Sequence, residues 1–426
     1  MKNYRKTWII TMVLTIIYLA VLLVLRSSVV FTAEKRLEGI DKAGTSFAEL
    51  EIPTDVRVVG IGEATHGNRE FQIAKLKVLK KVVEEGDGRS IAFEMSAGEG
   101  AEINDAIHEN VSDLTELVSK TDYPIYDTEE IVELLTWMRE YNQTVPYEES
   151  LMFYGIDMQG AYRSIDYLKS KAQSNPSLFT EEEINVLSEI DTKDDKCLEC
   201  RDLYEEMYNR FSAVDNTDGR LLAIQADVIL KFIDAPDFDK SQDDYSNYRD
   251  KSMAQNLKNY SEIEENRGFS QMVVTAHNGH VMRGSSDMDD DGSNSTMGER
   301  IDQIFEGRYF CIGTEFYNAT VNIHTAGTFD ENYERADHDY CSDDILAYQA
   351  RFFDDERYCL DFTKITDKNS KIYKMIHGKM FMGLVGEGYT VLNDMYKVER
   401  MKIIPADRFD AVLYYYCVTP IDPIHY

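Results

Sequence analysis

Six short apolar runs punctuate the 426-residue chain, at 56–62, 90–94, 151–157, 271–276, 309–314 and 411–418, each bounded by turn residues or charge. Runs of this length without polar alternation are expected of strands buried on both faces, which is how parallel sheets read. Between the first two, Phe71, Ile73, Ala74, Leu76, Leu79, Val82 and Val83 recur at helical spacing from Arg69 to Glu85, and Gly86 lies just beyond. Strand, helix and strand in that order predict a βαβ unit. Longer helical stretches separate the later runs, as insertions at about 99–150 and 162–262. The expected fold is α/β, with a largely parallel central sheet flanked by helices and long helical insertions.

The N-terminus has a different character. Residues 8–25 carry no charge, and Lys2, Arg5 and Lys6 precede them. Eighteen residues rise about 27 Å as a helix, just enough for a bilayer core. A secretory signal fits the basic start and apolar stretch equally well. The residues before Ala33 (Val29, Val30, Phe31, Thr32) nevertheless offer no small-x-small cleavage site. Residues 1–33 are therefore expected to form an N-terminal transmembrane helix, as an anchor or uncleaved signal, with 34–426 as one large domain. The bases ahead of the span put the N-terminus inside. This reading implies a single-pass protein of the cell membrane, with the membrane as a partner and the catalytic domain outside the cytoplasm.

Composition narrows the function. The chain holds 45 basic and 77 acidic residues, a net charge of −32, and so repels phosphate backbones; no nucleic-acid partner is expected. A hydrophobic fraction of 43% excludes a disordered polymer. Of six cysteines only Cys197 and Cys200 lie close together, with no second pair or histidine beside them, so isolated thiols or one local disulfide are expected rather than zinc. The stretch 285–295 is rich in aspartate but lacks the order and closing glutamate of a calcium loop. It is expected to be a solvated loop, and 330–355 an acidic surface excursion.

In open parallel sheets functional groups collect beyond the carboxyl ends of the strands. Here the first run leads into Gly62-Glu63-Ala64-Thr65-His66-Gly67, the second ends at Glu94, the third at Asp157, and the fourth leads into His277-Asn278-Gly279-His280. Two chemistries use such a set. A neutral imidazole can take a proton from water while one carboxylate orients the ring, a second positions the water, and other histidines donate to the developing oxyanion. Alternatively, histidines and carboxylates can hold a divalent metal that acidifies water. Helix capping and buried polar pairing employ the same residue types. No Gly-x-Ser-x-Gly elbow, P-loop or dinucleotide fingerprint occurs, and Ser96 lacks the elbow's context. Direct attack by water is expected, with no cofactor. Arg283 and the Met-Gly-Glu-Arg at 297–300 offer cations to a polar substrate, though salt bridges and helix starts use arginine in the same way.

The segment Gly-Ile-Gly-Glu-Ala-Thr-His-Gly-Asn-Arg-Glu-Phe at 60–71 resembles the signature of the erythromycin esterase family. The resemblance continues through Ile-Ala-Phe-Glu at 91–94, Gly-Ile-Asp at 155–157, Arg249-Asp250 with Met253, Ala254, Asn256 and Leu257, and Ala-His-Asn-Gly-His-Val at 276–281, then Met297-Gly298 and Arg-Phe-Asp-Ala at 408–411. It implies a hydrolase that opens carboxylic esters or lactones, the macrolide lactone in the best-known members, by activated water without a covalent intermediate. By position, His66 resembles the general base, Glu63 and Glu94 the carboxylates that hold it and the water, and His277 and His280 the second histidine pair. Nine residues after His66, where members that hydrolyse macrolides can carry arginine, this chain has Lys75, which keeps the charge but loses the planar fork. Lys75, Arg69, Arg283 and Asp157 are the expected substrate contacts, and a small ester or lactone the expected partner. Macrolide hydrolysis and antibiotic resistance are one expectation. A metal-dependent hydrolase on a related scaffold and a non-catalytic surface binding module are the alternatives.

Overall fold

The computed structural model describes residues 6, 8–21, 35–109, 113–285, 294–325, 334–389 and 399–424. Its strands, in chain order, are β1 Gly44–Thr45, β2 Val58–Glu63, β3 Gly88–Ser96, β4 Met152–Asp157, β5 Gln271–His277, β6 Tyr309–Thr325, β7 Arg335–Cys341, β8 Arg357–Asp361, β9 Met380–Gly383, β10 Gly388–Tyr389, β11 Arg400–Ile403 and β12 Ala411–Val418. One sheet runs in the order β1-β8-β12-β6-β2-β5-β3-β4, with β7 and β10 added to the outer half of β6, and β9 and β11 form a separate ribbon. From β12 to β4 the neighbours are parallel; β1, β8 and β7 join antiparallel.

The unbroken apolar runs follow from burial on both faces. In β2 all six residues are buried, with Val58 in one core and Val59 and Ile61 in the other. Helices Arg69–Glu85, Ala97–His108 and Glu129–Asn142 cover one face; Gln242–Arg267, Met297–Ile304 and Ile345–Gln349 cover the other. A further apolar cluster joins Ala161–Ser174, Arg201–Ser212 and Thr217–Ile233 into an outer helical layer. The helical insertions are thus successions of separate helices, of which Gln242–Arg267, at 26 residues, is the longest described.

The sheet departs from expectation at its margin. β6 continues to Thr325 instead of stopping at residue 314, and its outer half alternates, with Val321 and Ile323 buried and Thr320 and Asn322 partly exposed. There it has one covered face and pairs with β7, from Asn318↔Cys341 to His324↔Arg335. β7 lies in the acidic stretch expected to be a surface excursion. Its acids are satisfied across the ladder, Asp339 by Thr320 at 2.8 Å and Asp337 by Asn322 at 2.8 Å. Of the aspartate-rich stretch, 286–293 lies outside the described residues, and Ser285 and Ser295 bridge its ends. Cys197 and Cys200 are free thiols.

The transmembrane expectation is corrected. Among the described residues no helix is long and apolar enough to cross a membrane. Residues 22–25 of the expected span lie outside the described residues. The N-terminal membrane helix, the membrane as a partner and the single-pass cell-membrane placement therefore have no support in the structure.

Candidate active site

Two polar assemblies meet at the carboxyl ends of β2, β3, β4 and β5. The first grows from β2. Its last residue, Glu63, is buried, and the loop that follows turns His66 back so that Nδ1 stands 2.8 Å from Glu63 Oε1. Gly62 and Gly67 make this turn workable: a Cβ on Gly62 would stand 2.2 Å from Asn278 Oδ1, and one on Gly67 2.2 Å from the carbonyl oxygen of Asn322. The loop is therefore pressed between the turn after β5 and the outer half of β6. Thr314 of β6 pins it further, its Oγ1 accepting from Ala64 N at 3.0 Å and donating to Gly62 O at 2.9 Å.

The other oxygen of Glu63 faces Lys75 Nζ at 2.8 Å. Lys75 comes from the helix Arg69–Glu85, is 1% exposed, donates to Gln72 Oε1 at 2.7 Å, and lies 4.6 Å from the ring centre of Tyr126 and 5.3 Å from that of Phe93. Burial alone would raise the Glu63 pKa, but Lys75 and His66 outweigh it and hold it below the usual range. Burial acts to lower His66, and Glu63, Glu94 and Glu387 outweigh it to raise its pKa above 6.5. Burial depresses Lys75 despite its partner. An ionised Glu63 fixes the His66 tautomer, with the proton on Nδ1 and the lone pair on Nε2.

The second assembly is built around Arg249, from the helix Gln242–Arg267. Its Nη2 bonds Glu94 Oε1 at 2.7 Å and Asp157 Oδ2 at 2.5 Å, and its Nε bonds Asp157 Oδ2 at 2.9 Å, so one guanidinium ties the ends of β3 and β4 together. Glu94 Oε2 accepts from His277 N at 2.9 Å. His280 is clasped by Asp250 at Nδ1 (2.5 Å) and by Glu94 at Nε2 (3.3 Å). Asp250 also takes the Met297 N–H at 3.0 Å. Burial opposes charge on His280, yet Asp250 and Glu94 prevail and push its pKa up to about 9. His277 goes the other way, to about 3, through burial first and then the neighbouring His66. His277 Nδ1 accepts from Gly279 N at 3.4 Å, so its proton sits on Nε2, which is buried with no hydrogen-bond partner among the described residues. The rings of His66 and His277 lie 4.7 Å apart. The site therefore presents a basic imidazole nitrogen beside an unspent imidazole N–H.

Of the residues singled out in the sequence, Glu63, His66, Lys75, Glu94, Asp157, His277 and His280 come together here. Lys75 stands behind Glu63 rather than on an open surface. Arg69 pairs with Glu130 at 2.5 Å with 57% of its side chain exposed, and Arg283 is held by Asp302 at 3.2 Å and Asp410 at 2.7 Å. Neither hydrogen-bonds to the assembly among the described residues. Arg249 and Asp250 complete the site and were not singled out for it. Their signal was an adjacent cation and anion inside a long helix, within the stretch that carries the family resemblance. Ser96 caps the helix Ala97–His108, accepting from Glu99 N at 3.3 Å and donating to Glu99 Oε2 at 3.2 Å.

An open α/β sheet with an acid–base assembly at its carboxyl edge defines the class, and comparison with known proteins narrows it. The erythromycin esterase signature matches residues 83–417, and the chain belongs to that family. The match takes in Glu94, Asp157, Arg249, Asp250, His277 and His280, and begins after Glu63 and His66. An erythromycin esterase type II of Escherichia coli is 33% identical over 104 residues, 24% of each chain. A putative hydrolase, YbfO, of Bacillus subtilis strain 168 is 27% identical over 139 residues, 31% of this chain and 30% of its own. The matched part is thus under a third of the length of each of these curated relatives. Among solved structures, a succinoglycan biosynthesis protein superposes with a TM-score of 0.68 at 17% identity, over 90% of this chain and 97% of its own. An erythromycin esterase mutant in its open conformation superposes at 0.59 and 14% identity, over 87% and 93%. At these identities the likeness is one of fold.

Proposed function

We propose that the chain is a hydrolase of carboxylic esters or lactones that attacks the carbonyl directly with water activated by His66. The observation that carries this reading is the Glu63–His66 pair at 2.8 Å beside the unpartnered Nε2–H of His277. In this scheme His66 Nε2 takes a proton from water as its oxygen bonds to the carbonyl carbon, and Glu63 stabilises the imidazolium. The oxyanion accepts the hydrogen bond of His277 Nε2–H, whose ring stays neutral because burial and its neighbours oppose charge. Collapse of the tetrahedral species breaks the carbon–alkoxide bond, and His66 returns its proton to the leaving oxygen. Glu94, held by Arg249 and His280, is the carboxylate we assign to positioning the water.

Three features support direct attack. Ser96, the serine nearest in sequence to Glu94, is occupied in a helix cap. The carboxylates are each held by a cation or an imidazole rather than free to act as nucleophiles. Counting Glu63, Glu94, Asp157 and Asp250 against Lys75, Arg249 and His280 leaves one negative charge, which a protonated His66 would neutralise. Macrolide lactones are candidate substrates within the class. The test is turnover of an ester and lactone panel by the wild type and by His66→Ala. Turnover lost with an unchanged melting profile supports the general-base role; full turnover by the variant sinks it.

A further inference from the structure

The helix Arg69–Glu85 has a second polar face. Lys75 turns into the active site, whereas Ala74, Lys77 and Lys81, spaced i, i+3 and i+7, turn toward the antiparallel margin of the sheet. There they wall an open cavity of about 490 Å³ against β8, β12 and the turn 46–48. Its floor is apolar: Ala74, Leu413 and Tyr415 are buried, and Phe47 packs at the edge against the same core. A cavity of this size, with an apolar floor and a few charges, has the make-up of a small-molecule site.

The chain as a whole has 45 bases to 77 acids, but this lining holds four of each. Two of the acids are already spent. Glu85 accepts from Lys81 Nζ at 2.9 Å, and Lys81 also donates to the Ala48 carbonyl at 3.1 Å. Asp355 accepts from Arg357 Nη2 at 2.7 Å. Lys80 lies 5.2 Å from the ring centre of Trp137. Lys77 forms no hydrogen bond or ion pair among the described residues. Burial first and then the charge of Arg357 hold its pKa below the ordinary value, against the pull of Asp355; Glu84 and Asp354, the remaining acids of the lining, are not among the charges acting on it. Arg357 stands opposite Tyr415 in the β8–β12 ladder, so the two share a face. Tyr415 is 8% exposed, and its hydroxyl makes no hydrogen bond among the described residues. The cavity thus presents an unpaired ammonium, a guanidinium with N–H groups to spare and an unpartnered phenol above an apolar floor.

One kind of group satisfies all three. A carboxylate only accepts, and its two oxygens can take N–H bonds from a guanidinium and an ammonium together with a phenol O–H. Placed between Lys77 and Arg357, it also offsets their mutual repulsion. A dianion such as phosphate would face Asp354 and Asp355 with a single unpaired cation, so a monoanion is the better match. We propose that this cavity is a second binding site, which takes a monocarboxylate with an apolar body. Its carboxylate lies between Lys77 and Arg357, and its body lies on Ala74, Leu413 and the Tyr415 ring. Neither Glu63 nor His66 lines the cavity, and its occupancy does not depend on whether the chain hydrolyses esters.

The test is calorimetric titration of the full chain with octanoate, and with octanamide as its neutral counterpart. One equivalent of octanoate should bind with an affinity that falls about tenfold in Lys77→Gln and in Arg357→Gln, the loss expected of one charged hydrogen bond. Both side chains reach solvent, so neither change disturbs the core. Octanamide should bind at least about tenfold more weakly than octanoate, for the same reason. His66→Ala should leave the octanoate affinity unchanged, because the active site lies elsewhere. Absence of saturable binding, equal affinity for octanamide, or an affinity indifferent to Lys77→Gln or to Arg357→Gln overturns the site. An equivalent lost in His66→Ala and kept in Lys77→Gln places the acid in the active site and overturns it equally.

Discussion

Replacing Lys75 by methionine tests the electrostatics of the site from a position without solvent access. Lys75 and Glu63 are each 1% exposed and 2.8 Å apart, so deleting the ammonium strands a buried carboxylate. Breaking such a pair from one side costs about 3–5 kcal/mol. Glu63 has an escape, which is to take a proton. For a carboxyl with an ordinary pKa near 4.3, that costs about 1.36 × 2.7, or roughly 3.7 kcal/mol at pH 7. The two routes agree, and Lys75→Met should lose about 4 kcal/mol in urea unfolding. The sign with pH follows from the depressed Glu63 pKa. Stability from this group is present above its unfolded pKa and lost as pH falls through the folded one, so raising the folded pKa moves that loss to higher pH. A protonated Glu63 no longer orients His66 as a base, and kcat should fall by at least about 100-fold. The double variant Glu63→Gln with Lys75→Met removes both charges and should recover most of the stability but none of the activity. The reasoning is refuted if Lys75→Met changes stability by less than about 1 kcal/mol, or if the double variant is no more stable than the single one.

Other outcomes follow from the same geometry. The kcat/KM of the wild type should rise with pH through the His66 pKa, which lies above 6.5, because the base must be unprotonated; a flat profile from pH 6 to 8 contradicts this. Arg249→Met leaves Glu94 and Asp157 facing one another without their cation and should cost about 3–5 kcal/mol, with Arg249→Lys recovering only part because an ammonium lacks the fork; calorimetry reads both. His277→Phe keeps a ring of similar size without the Nε2–H and should lower kcat by about 10²–10³-fold with little change in KM. Dialysis against a chelator should leave turnover unchanged, and a loss restored by one added metal would move the account to the metal-dependent alternative.

Much of this arrangement was legible in the sequence because the parallel core has a simple grammar. An apolar run that gives way to polar residues marks where a strand stops, so Glu63, Asp157 and His277 fall at the ends of β2, β4 and β5, while β3 runs two residues past Glu94 to Ser96. What was illegible came from outside that grammar. Arg249 and Asp250 reach the site from a helix 92 residues beyond Asp157, and only packing brings that helix across the strand ends. Strand β7 lies at the antiparallel margin, where most of its residues are exposed or half-buried and acids such as Asp337 and Asp339 are satisfied across the ladder, so it reads as loop. Arg69 and Arg283 were plausible substrate cations by type. Nothing in a sequence distinguishes such an arginine from one paired with Glu130 or Asp410. The N-terminal stretch read as a membrane span from its lack of charge, and among the described residues no helix is long and apolar enough to cross a membrane.

The central claim is that His66 activates water for direct attack. Its most direct test is to incubate the purified full chain with lactones and simple esters, erythromycin included, and to read product and quenched protein by mass. The account predicts a product heavier by one water, no covalent adduct on the protein, and no product with His66→Ala. A substrate-derived adduct on the protein, or undiminished turnover by His66→Ala, would contradict it.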